Sequence, residues 1–172
     1  MSPWRDIARG AAAVAATAVA VALIACIAVS AAGAAAEARG WFAFGFAAPR
    51  GRLADAAQIA LDNIRLAAAP FLGACAIRYV PKLRPFIDFV LALLLGMNAA
   101  LLGAAFAAYG PELVSVLVPH LLLEFAAFSL AGGTYVSARQ KPLRLLLVVF
   151  AIAATGCLLV AAAGAETALW LG

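Results

Sequence analysis

His120 and Glu124 stand four residues apart inside a long, mostly apolar run, and no other pair in the chain is better placed to do chemistry. Ionisable groups in such runs are expensive to bury, so they face a bundle interior, a wet cavity or one another. Residues four apart share one face of an α-helix, which makes the imidazole and the carboxylate neighbours. An imidazole beside an acid is a pairing that can hold or pass a proton. Two amides on other apolar runs, Asn63 and Asn98, are expected to meet them and complete a polar constellation of four. It has two readings. It is a buried hydrogen-bond network that fixes helix register, each contact worth about 0.6–2 kcal/mol, or it is a protonatable or ligand-binding pocket. The first is favoured. Asp62 and Arg65, three apart, are expected to form an ion pair on one helix face.

Other chemistries find too little material. One His and one Glu supply two ligands where zinc takes three or four, and HExxH is missing. There is no GxSxG, no glycine-rich phosphate loop and no paired acidic cluster. Ser115 lies five residues before His120, a poor helical register for a nucleophile and its base. No catalytic residue, metal or cofactor is therefore expected. Gly132-Gly133 reads as a place where another helix approaches closely rather than as a ligand cradle.

The elements that must position these groups follow from composition. The chain of 172 residues is 67% hydrophobic and 12% charged, against about 45–50% and 25% in soluble domains. This is the composition of an integral membrane protein: all-α, polytopic, one transmembrane domain over 1–172. Five spans are expected, at 11–34, 58–77, 86–108, 113–137 and 143–163, each near the 20 or so apolar residues that cross a bilayer. A cleaved signal peptide competes for the first, because Ala34-Ala35-Ala36 offers small residues for cleavage, but that run is too long. Pro70 within the second span frees the carbonyl of Leu66 and predicts a kink. In the third span Gly96, Ala99, Ala100 and Gly103 offer small positions for a neighbour. Pro119 leaves the fourth span open: one continuous helix from residue 113, or a helix that starts at Pro119 behind a re-entrant or interfacial piece. Between the first two spans, Trp41, Phe42, Phe44 and Phe46 mark a segment lying at the bilayer surface or docking a partner. Cys26, Cys75 and Cys157, on three separate runs, read as small core residues.

Charge gives the orientation. Arg5, Arg9, Arg78, Lys82, Arg84, Arg139, Lys141 and Arg144 fall on one side, against Arg39, Arg50 and Arg52 on the other. The positive-inside rule then puts the amino terminus in the cytoplasm and the carboxyl terminus outside the cell membrane. The basic residues lie in short loops rather than in a stripe, so nucleic acid is not an expected partner.

Three blocks of residues, over roughly 58–137, resemble the stage II sporulation protein M family. They are Asp62-Asn63-Ile64-Arg65 with Pro70-Phe71-Leu72-Gly73; Met97-Asn98-Ala99 with Leu101-Leu102-Gly103; and Pro119-His120 with Glu124, Ala127, Ala131 and Gly132. The chain has Leu121 and Ala126 where that family commonly has Gly and Pro. The resemblance implies a non-catalytic multi-pass scaffold that organises envelope-remodelling partners such as cell-wall hydrolases, with self-association open. The alternative read from the residues is a small proton- or cation-coupled transporter or permease component using Glu124 and His120.

Overall fold

A computed structural model describes residues 3–41, 53–141 and 143–171, and no strand occurs among them. Six α-helices follow one another: α1 Pro3–Ala31, α2 Ala35–Trp41, α3 Leu53–Tyr79, α4 Arg84–Tyr109, α5 Pro111–Gln140 and α6 Leu145–Leu171, with a 3-10 turn at Pro81–Leu83. Five of them, all but α2, are long and apolar enough to cross a membrane. The chain is a multi-pass membrane protein with an all-α bundle. Large apolar side chains such as Ile24, Ile27, Phe86, Phe89, Leu93 and Phe150 stand on the outer faces of the spans. Contiguous exposure on this scale suits lipid rather than water.

The helices run past the expected apolar windows at several ends, because Arg, Lys, Gln and Ala are good helix formers outside the hydrocarbon as well as within it. Breaks occur where the backbone demands them. Gly33, at φ +66°, turns the chain from α1 into α2, and Gly110, at φ +65°, separates α4 from α5. Only glycine adopts that left-handed geometry without steric penalty. Proline opens the 3-10 turn, α4 and α5, near positions where its missing N–H has no helical partner to lose. Pro70 and Pro119 both lie inside helices. The chain stays helical through Pro70, which is fully buried. At Pro119 the continuous reading holds, and α5 runs unbroken from Pro111.

α5 is the hub. α1 and α4 pack on it and on each other, while α3 and α6 pack on it and on each other. The close approach expected at Gly132-Gly133 is made by α1. A Cβ on Gly133 would collide with the backbone of Ile7 and Ala11, and one on Gly10 would lie 2.7 Å from the Gly133 carbonyl oxygen. The α1–α4 seam uses Gly103, where a Cβ would collide with the Ala22 carbonyl. The expected small-residue face of α4 is only partly used. Ala99 and Gly103 are buried in it, whereas a Cβ on Gly96 would meet nothing within 4 Å.

The cysteines are all free, but Cys75 and Cys157 are exposed on the outer surface rather than held in the core as expected. A thiol is apolar enough to face lipid as readily as a neighbouring helix. In the segment expected at the bilayer surface, α2 covers the first part, and Phe42, Phe44 and Phe46 lie outside the described residues. α2 packs against the end of α4, where the Arg39 Nε donates to the Ala108 carbonyl and the guanidinium stands 5.9 Å from the centre of the Tyr109 ring. A cation at a helix C-terminus also meets the negative end of the dipole.

Candidate functional site

The contact between α3 and α5 is built in successive turns. At one end Tyr135 packs with Ala74 and Ile77; Phe71 and Ala131 share the next cluster, and Ala67 and Ala127 the one beyond, backed by Leu159 of α6. Alanine at facing positions lets the two helices approach closely. One turn further along, the pattern changes from apolar to polar. There Asn63 Nδ2 donates to Glu124 Oε1, joining α3 to α5. Each residue lies sixteen positions before the end of its helix, which at 1.5 Å per residue is roughly 24 Å from the basic end for both. The matching heights are what allow the bond.

His120 is buried, 6% exposed, one turn beyond Glu124 on the same helix face. Asn98 does not join them. It lies on the exposed side of α4, beside the lipid-facing Met97 and Leu101, and its amide donates to the Leu94 carbonyl of its own helix at 2.8 Å. An amide facing hydrocarbon must find an acceptor within reach, and the carbonyl one turn back is the nearest. The expected constellation of four is therefore an Asn63–Glu124 pair with His120 beside it. Asp62 and Arg65 form the expected ion pair, at 3.3 Å, with a second bond from Gln58 to Asp62 at 3.0 Å. Both charged side chains are more than half exposed, so the pair lends little stability to the bundle.

A second polar cluster, which sequence reasoning missed, lies at the opposite end of the spans. Asp88 of α4 accepts a 2.6 Å hydrogen bond from the Tyr135 hydroxyl and pairs with Arg139 at 2.9 Å, both partners being on α5. Close by, just past the end of α5, Lys141 pairs with Asp6 of α1. Asp88 thus ties α4 to α5, and Asp6 ties α1 to the end of α5. The signal was present in the charge map. Asp6 and Asp88 are the two carboxylates within a sequence neighbourhood of eight cations, and each had to find one.

Comparison with protein-family models, with curated proteins and with solved structures finds no match to this chain. The site must be read from its own chemistry. Among the described residues no group of three or more His, Cys, Asp or Glu side chains gathers where a metal ion could be held. What the arrangement does provide is cross-links between spans at two heights: an amide–carboxyl bond far from the basic end, and carboxylate–cation and carboxylate–phenol bonds near it.

These links make an immediate prediction. Asp88→Ala removes the phenol's acceptor and the guanidinium's counter-ion together, and should destabilise the folded chain by about 1–3 kcal/mol, discounted toward the lower figure because Asp88 and Arg139 are about a third exposed. Asp88→Asn, which leaves an acceptor for Tyr135, should lose roughly half as much. Reversible unfolding in mixed micelles measures both. Equal losses for the two variants would mean that the phenol bond contributes nothing.

Proposed function

We propose that this chain is a non-catalytic multi-pass scaffold of the cell membrane, of the kind implied by its resemblance to the stage II sporulation protein M family. Its amino terminus is cytoplasmic and its carboxyl terminus is outside, and its partners are other envelope proteins, cell-wall hydrolases among them. The observation that carries this reading is the Asn63–Glu124 bond, in which the most chemically capable carboxylate of the spans is used to fasten α3 to α5. The orientation is supported by the helix ends. The two ion pairs between helices and the cleft beside them gather the start of α1, the end of α3, the start of α4, the end of α5 and the start of α6 at one end, the end that carries the eight cations.

Gentle-detergent purification of the tagged full-length chain, after crosslinking in native membranes, should recover at least one envelope protein in fixed proportion. Repeated recovery of nothing but lipid and copies of the chain would overturn the proposal.

The second reading, a proton- or cation-coupled transporter component, has one observation in its favour: Glu124 is half-buried within a span. Glu124→Gln separates the two. The scaffold reading expects partner recovery to survive, because the amide still offers Asn63 an acceptor. The transport reading expects an ion flux in proteoliposomes of the unaltered chain that the variant abolishes.

A further inference from the structure

At the basic end of the bundle a cleft of about 360 Å³ opens between the end of α3, the turn at Pro81, the start of α4, the end of α5 and the start of α6. Arg78, Arg84, Arg139 and Lys141 line it together with apolar side chains, among them Ile77 and Val148. Two of the four cations are already matched, Arg139 by Asp88 and Lys141 by Asp6. Arg78 and Arg84 are exposed and make no ion pair among the described residues. Tyr79, 80% exposed, and Leu145, 73% exposed, also border the cleft. The cleft therefore combines unmatched positive charge with an aromatic ring of the kind found at membrane boundaries and an aliphatic wall of the kind found below them.

Two guanidinium groups without counter-ions at the edge of a low-dielectric slab attract an anion, and their planar forks match the oxygens of a phosphate. Basic pockets between spanning helices are suited to anionic headgroups. A free phosphate would satisfy the arginines but leave the aliphatic wall unused. A phospholipid uses both. We infer that this cleft binds an anionic phospholipid, with Arg78 and Arg84 holding the headgroup phosphate and the wall formed by Ile77 and Val148 receiving the upper part of an acyl chain. The site does not depend on which leaflet the basic end faces, nor on the scaffold reading.

The test uses the full-length chain in a neutral detergent, titrated separately with dioleoyl phosphatidylglycerol, dioleoyl phosphatidylcholine and inorganic phosphate, with bound molecules counted by native mass spectrometry. Phosphatidylglycerol should bind at least about tenfold more tightly than phosphatidylcholine. The double variant Arg78→Gln/Arg84→Gln should weaken that binding about tenfold to thirtyfold. Arg5→Gln/Arg9→Gln removes the same charge from exposed positions outside the cleft at the same end, and should weaken it less than about threefold. Arg78→Lys/Arg84→Lys, which keeps the charge and loses the forks, should fall between the two double Gln variants. Equal affinity for the two lipids overturns the proposal. So do equal losses in the two Gln variants, which would mean diffuse surface charge, and inorganic phosphate binding as tightly as the anionic lipid, which would mean a free-anion site.

Discussion

Gly103→Val should prevent recovery of a monodisperse, folded protein from the membrane, while Gly96→Ala, seven residues earlier on the same helix, should leave it intact. At Gly103 a Cβ would collide with the Ala22 carbonyl, carbon and Cα, all main-chain atoms of α1 that cannot rotate away. Relief requires the whole of α1 to move off α4. Overpacking a close seam costs about 1–3 kcal/mol, and occasionally more where the obstacle is rigid, so about 3 kcal/mol or more is expected for a branched side chain here. Gly96 meets nothing within 4 Å, and its replacement should be neutral or gain up to about 1 kcal/mol from helix propensity. Size-exclusion profiles and thermal unfolding in the same detergent compare the two directly. Wild-type stability in Gly103→Val would show that α1 does not dock on α4 through this seam.

The second large effect is expected at the Asn63–Glu124 bond. Glu124→Leu leaves the Asn63 amide facing an apolar seam with its acceptor gone, an error worth about 1–3 kcal/mol. Glu124→Gln keeps an acceptor oxygen and should lose less than about 1 kcal/mol. Because part of the loss in Glu124→Leu is the stranded amide, adding Asn63→Leu should restore stability rather than lower it further. The double-mutant cycle should return a coupling energy of about 1–2 kcal/mol. Strictly additive single variants would mean that the two residues do not fasten α3 to α5.

How much of this was legible in the sequence depends on the range of the interaction. Apolar runs near the length of a bilayer crossing gave the five spans, and the eight-cation pattern gave the helix ends that share one side. The i, i+3 spacing of Asp62 and Arg65 gave their ion pair, since that contact is made within one turn. Asn63 and Asn98 were alike in sequence, as amides within apolar runs, yet only Asn63 reaches Glu124. The difference is rotational. α3 turns Asn63 toward α5 on the face that also carries Ala67, Phe71 and Ala74, whereas α4 turns Asn98 outward with Met97 and Leu101. Which stripe of an all-round apolar helix meets a neighbour is weakly marked in composition, because lipid and protein interior are about equally apolar. Gly96 and Gly103 diverge for the same reason, being two turns apart on one helix but serving different surroundings.

The order in which the helices find partners has a consequence for biogenesis. α1 can seat itself on α4 as soon as the third crossing emerges from the ribosome, because that seam needs nothing later in the chain. α3 has its main neighbours, α5 and α6, entirely downstream. During synthesis it must wait in the bilayer with the Asn63 amide not yet bonded to Glu124, and with Asp62 and Arg65 left to satisfy each other. Until the hub helix is threaded in, α3 lacks both the carboxylate that accepts from Asn63 and the neighbours that cover Ala67 and Phe71.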